Sequence, residues 1–88
     1  MRDMWWLSFA GAEGFRGVCI VGPAADIVEA AKLAHLHGCN PGGEVMGVKA
    51  PDDFPLIESD VNHLYRTNAE AAALDDELDR RREARSHA

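Results

Sequence analysis

The run Gly17-Val18-Cys19-Ile20-Val21 restricts this chain more than any other segment. It reads as a strand, because β-branched residues favour pleated backbone. Successive side chains of a strand point to opposite faces, and here both faces are apolar, so something must cover both. Upstream, Met4-Trp5-Trp6-Leu7-Ser8-Phe9-Ala10 alternates with period two, with Trp5, Leu7 and Phe9 on one face and Trp6, Ser8 and Ala10 on the other. The glycine-rich stretch 11–16 between these runs is a turn, so the pair predicts an antiparallel hairpin.

Gly22-Pro23 then reads as a helix start, since proline is tolerated at the first helical position. The helix runs to about His37, with Gly38 as its stop and Asp26 and Glu29 near its positive end. Ala24, Ile27, Val28, Ala31 and Ala34 form one stripe, and Leu33 and Leu36 fall nearly opposite as a second apolar patch. After the loop Cys39-Asn40-Pro41-Gly42-Gly43-Glu44, residues 45–49 form a third strand. Strand, helix, strand is a crossover unit, and pairing of strand three beside strand one gives the order 2-1-3. The expected fold is a small α+β domain, β-β-α-β-α, with a three-stranded mixed sheet and a C-terminal helix. Its expected core is Trp5, Leu7, Phe9, Val18, Ile20, Ile27, Ala31, Ala34, Val45 and Leu64.

Two prolines divide residues 50–58, where Phe54, Leu56 and Ile57 are expected to pin the loop to the core. Ser59 can cap a helical turn carrying Val61, Leu64 and Tyr65, and Thr67-Asn68-Ala69-Glu70 matches a capping box. Residues 1–88 read as one domain, with 79–88 a solvated helix end or frayed tail. A continuous helix over 59–85 extends ~40 Å, beyond the ~25 Å diameter of such a domain. That length, with Leu74 and Leu78 on one side, predicts a homodimer through Leu33, Leu36, Leu74 and Leu78. A break at Thr67 predicts the opposite, a second half folded back over its own leucines.

The 88 residues carry 9 Lys+Arg against 15 Asp+Glu, a net charge of −6. This excludes a generic nucleic-acid binder, which needs a basic footprint; Arg80, Arg81, Arg82 and Arg85 are interleaved with Asp75, Asp76, Glu77, Asp79 and Glu83. The apolar start is short and broken by Ser8, Gly11 and Glu13, unlike a signal peptide or membrane span, so a cytoplasmic location without membrane contact is expected. Two cysteines, Cys19 and Cys39, are too few for a disulfide framework and read as free thiols.

Catalytic and metal patterns are weak. His35, His37 and Cys39 are spaced two apart, which on a helix points side chains ~200° apart, and His63 is distant. No metal or cofactor is expected. Cys19 lies mid-strand, Cys39 follows the negative end of a helix, and Asp52-Asp53 sits in a proline-rich loop as turn residues, so no catalytic residue is assigned and the chain is read as a non-enzyme. A phosphate or nucleotide reading is better founded. Asn40-Pro41-Gly42-Gly43 can turn backbone N–H groups toward an anion, Arg16, Lys49 and Arg66 can add charge, and Trp6 can stack on a base.

The segments Leu7-Ser8-Phe9, Gly17-Val18-Cys19-Ile20-Val21 and Gly38-Cys39-Asn40-Pro41-Gly42-Gly43-Glu44-Val45 together resemble small uncharacterised proteins of phages and mobile elements, over about half the chain. The resemblance implies no established activity; it suggests action by binding. The first functional expectation is therefore a non-catalytic protein that sequesters a small nucleotide-like anion, of the anti-defence sponge type, at Trp6, Arg16, Asn40, Gly42, Gly43, Lys49 and Arg66. The alternative is an acidic protein-interaction module that binds and blocks a host protein.

Overall fold

The computed structural model describes residues 2–51 and 54–86. Strands β1 (Asp3–Gly11), β2 (Gly14–Ala24) and β3 (Glu44–Lys49) form one sheet in the order β2-β1-β3, with helix α1 (Ile27–Leu36) between β2 and β3 and helix α2 (Asn68–Ser86) last. This is the expected α+β arrangement, with one correction: the sheet is antiparallel throughout, not mixed. β2 and β3 run in the same direction, but β1 lies between them and opposes both, so no neighbouring pair is parallel. The carboxylate pair Asp52-Asp53 lies outside the described residues.

The two apolar faces of β2 are covered as its composition requires. On one face Trp5, Leu7, Phe9, Cys19 and Val21 pack against Ala30, Ala34 and Cys39, with Ile27, Leu33, Val45 and Leu64 at the margin. On the other, Ile20 packs with Leu74 and Leu78 of α2, flanked by Met4, Trp6, Phe54, Leu56 and Tyr65. Ile27, Ala31, Val45 and Leu64 are thus marginal rather than central, and Leu74 and Leu78 are core residues.

Several local expectations are corrected. β2 continues through Pro23 to Ala24, whose carbonyl accepts a buried hydrogen bond from Trp5 Nε1 at 3.0 Å. The helix therefore starts later, capped by Asp26, whose carboxylate accepts from the Glu29 N–H at 2.8 Å. It ends as expected: Gly38 takes φ +72°, Gly38 N–H donates to His35 and Cys39 N–H to Ala34, a Schellman termination. Residues 61–65 are not helical. Val18 and Tyr65 exchange backbone hydrogen bonds at 2.9 and 2.8 Å, and Asn62 N–H donates to Ile20 O, so this segment closes the outer edge of β2.

The helical reading over 59–85 breaks at Thr67, whose hydroxyl caps α2 by accepting from Glu70 N–H at 3.1 Å. α2 folds back on the sheet, and the radius of gyration, 12.9 Å, is close to the ~12 Å expected of a globule this size. Past Leu78, Arg81 donates to Asp60 at 2.7 Å and to Pro55 O at 3.2 Å, and the Arg82 guanidinium lies over the Phe54 ring at 5.2 Å. The helix end is therefore anchored at least one turn beyond its last leucine.

Candidate functional site: the free edge of β3

The seven residues expected to bind an anion do not form one site. Arg16 does reach the glycine loop, where its Nη1 donates to Pro41 O at 2.9 Å, and Asn40 Oδ1 accepts from Gly42 N–H at 2.8 Å. These groups satisfy one another, holding the turn against β1. A Cβ on Gly43 would lie 2.4 Å from Ala10 O, so that glycine is required by close packing. Lys49 stands at the other end of β3, ~17 Å along the strand from Glu44, and pairs with Asp3 at 3.6 Å. Trp6 packs on Phe54 beneath the sheet, and Arg66 follows the segment that closes β2, across the sheet from β3.

The expected leucine interface is also corrected. Leu74 and Leu78 are buried within this chain, and Leu33 packs against the core, because the Thr67 break brings α2 back over β2. Only Leu36 remains exposed, at 76%.

Thiol chemistry has no foothold either. Cys19 and Cys39 are buried; burial raises both thiols, that of Cys19 well above its ordinary range, and for Cys19 the neighbouring Cys39 adds to the effect. Among the described residues no group of three or more side chains could hold a metal ion, and no helix is long and apolar enough to cross a membrane.

What the fold leaves open is β3. Its pairing with β1 runs Trp5–Lys49, Trp6–Val48, Leu7–Gly47, Ser8–Met46, Phe9–Val45 and Ala10–Glu44. Ala50 N–H donates to Met4 O at 2.9 Å, one step beyond this ladder. Antiparallel pairs alternate between bonded and non-bonded, so Glu44, Met46 and Val48 bond β1 while Val45, Gly47 and Lys49 turn their N–H and C=O groups outward. Among the described residues no backbone group meets that outer edge.

The surfaces beside the edge are apolar. α1 lies chiefly over β2 and reaches β3 through Ile27, which packs over Gly47, and α2 lies over β2, so β3 is covered in part and its outer edge is left open. On the α1 face a groove of about 450 Å³ runs between Ile27, Val28, Ala31, Lys32 and His35 of the helix and Val45 of the strand. On the α2 face Met46 and Val48 are 77% and 64% exposed, and Val48 continues into a smaller hollow, about 220 Å³, with Trp6 and Phe54. The sequence placed Ile27 and Ala31 in the core and Val28 on the same stripe; these three of the stripe's five residues line the groove instead. The overlooked signal was the run Val45-Met46-Gly47-Val48, apolar on both faces like β2 yet followed by only one further amphipathic segment. Set beside known proteins, the chain matches no family model, no curated protein and no solved structure, so its function is argued from this geometry.

Proposed function

We propose that this protein is a non-catalytic interaction module that docks an extended segment of a protein partner along β3. The observation that carries the reading is the contrast between the two sheet edges. β2 is closed by residues 61–65, whereas β3 presents the outward groups of Val45, Gly47 and Lys49 with apolar surface on both faces. An unprotected edge is a template for strand addition: backbone hydrogen bonds supply affinity and flanking pockets read alternate side chains. Proline and bulges, two usual protections of an edge, are missing from β3, and its charges stand only at its two ends, Glu44 and Lys49.

Anion sequestration at the 40–43 loop has less support, because Arg16 and Asn40 already satisfy that loop internally. The test is selection of a displayed random octapeptide library on the immobilised protein. Enriched peptides should bind wild type and lose at least tenfold in affinity against Met46→Lys and Val48→Lys, two exposed sites where the substitutions leave the fold intact. Failure to enrich any peptide sensitive to these changes overturns the reading. Nucleotide binding abolished by Arg16→Ala, with no edge dependence, replaces it.

A further inference from the structure

We infer that the segment docked on β3 is β3 of a second copy of this chain, antiparallel about a two-fold axis at Gly47, joining two three-stranded sheets into one of six strands. This rests on the strand-addition reading above and adds the occupant and its register.

The register follows from which groups face outward. Val45, Gly47 and Lys49 are spaced evenly about Gly47, so a reversed copy centred there pairs Val45 with the second copy's Lys49, Gly47 with Gly47, and Lys49 with Val45. Every outward N–H of β3 then donates to an outward C=O of the second copy, and every outward C=O accepts from its N–H. A slip by one residue sets outward groups against groups already bonded to β1. A slip by two in one direction sets Lys49 against Gly43, which sits in the turn at φ +92° with no room to move toward Ala10. A slip by two in the other sets Val45 against Pro51, which has no N–H to donate.

The side chains agree with this register. Met46 faces the second copy's Val48, and Val48 its Met46, in the closely spaced non-bonded pairs of the ladder. The two most exposed apolar residues of the strand thus cover each other. Glu44 falls opposite Ala50 on the α2 face, while Lys49 points to the α1 face, so the ladder sets no charge directly against another. The two Glu44 copies lie about six residues apart, ~20 Å, and the two Lys49 copies about four, ~14 Å. On the α1 face the Lys49 stem lies along the second copy's Val45, an apolar surface on which lysine methylenes pack. Ile27 of α1 packs over Gly47, but among the described residues no backbone group meets the outer edge, so the edge itself can be approached. One strand pair buries less than the ~800 Å² per partner of a standard interface, so the association is expected to be weak and concentration-dependent.

The test uses the full chain carrying Met46→Cys mixed with the full chain carrying Val48→Cys, under mild oxidation, at concentrations where sedimentation velocity follows self-association. The native thiols are buried and silent. The mixture should cross-link at least tenfold faster than either variant alone. Faster linking of Met46→Cys to itself, or of Val48→Cys to itself, overturns the register. A dimer by sedimentation with no cross-link places the second copy on another face and overturns the occupant. A one-chain mass at every concentration, with octapeptides still captured in a Val48-dependent way, overturns the second copy and leaves strand addition standing. Loss of both behaviours removes both.

Discussion

Arg81→Ala should be among the most damaging single changes outside the two apolar clusters. The Asp60 carboxylate is nearly buried, its side chain 7% exposed, and Oδ2 accepts from Arg81 Nη1 at 2.7 Å and from Ile57 N–H at 3.0 Å. Arg81 also donates to Pro55 O, so one guanidinium ties α2 to both ends of the 55–60 turn. Truncation leaves the carboxylate with a single donor. Breaking a buried pair from one side costs about 3–5 kcal/mol. The Arg81 side chain is 23% exposed, and solvent screening of its field favours the low end, about 3 kcal/mol. A domain of 88 residues has a total stability of roughly 4–13 kcal/mol. At about 4–8 °C per kcal/mol the melting temperature should fall by about 12–24 °C. Thermal melts followed by circular dichroism, with urea melts showing an unchanged slope, measure the loss. The double change Asp60→Asn with Arg81→Met removes both charges and keeps the arginine stem's packing, so it should recover most of the deficit. If Arg81→Ala melts within about 4 °C of wild type, Asp60 is solvated and α2 is held by its leucines alone.

Other changes separate the remaining elements. Gly43→Ala and Gly38→Ala both force a side chain into positive φ, +92° and +72°, but only at 43 does the new Cβ meet a backbone oxygen, 2.4 Å away. Gly38→Ala should cost about 1–2 kcal/mol and Gly43→Ala distinctly more, in paired urea melts. Thr67→Ala removes the α2 cap and should cost about 1 kcal/mol; no effect would mean the helix break is set elsewhere. Ellman's reagent at pH 8 should leave Cys19 and Cys39 untouched in the folded protein and label both on unfolding, because burial raises both thiols. Rapid labelling of the native state contradicts their burial. Hydrogen bonding from Arg80, with the charges of Arg80 and Arg81, holds the Glu77 carboxyl below its ordinary range. A group depressed on folding stabilises above its unfolded value and loses that contribution as pH falls through the folded one. Glu77→Gln should therefore be less stable than wild type at pH 7, with the gap closing as pH drops below the carboxylate range.

Local patterns carried much of this fold. The alternation in β1 identified the strand and its buried face, Gly38 marked the helix end, and the apolar first strand correctly predicted its central place. What stayed hidden depends on distant partners. Pro23 read as a helix start because the hydrogen bond from Trp5 that keeps Ala24 extended comes from nineteen residues away. Residues 61–65 read as a helical turn because their partners, Val18 and Ile20, lie on another strand. Docking rotated α1, burying Ala30 and turning Val28 outward at 60% exposure. Each anion residue suits an anion or base by itself, but the length of β3 separates Lys49 from the glycine loop. Neither the free edge nor its apolar flanks could be read before it was known which strand the last helix covers.

Residue-resolved amide hydrogen exchange on β3 tests the central claim most directly. In dilute protein Val45, Gly47 and Lys49 should exchange near the rate of unstructured chain, while Met46 and Val48, bonded to β1, exchange slowly. Raising the concentration, or adding an octapeptide selected on the protein, should slow the three outward amides and leave the others unchanged. Three outward amides already protected in dilute protein, or unprotected under every condition, would contradict a docking edge on β3.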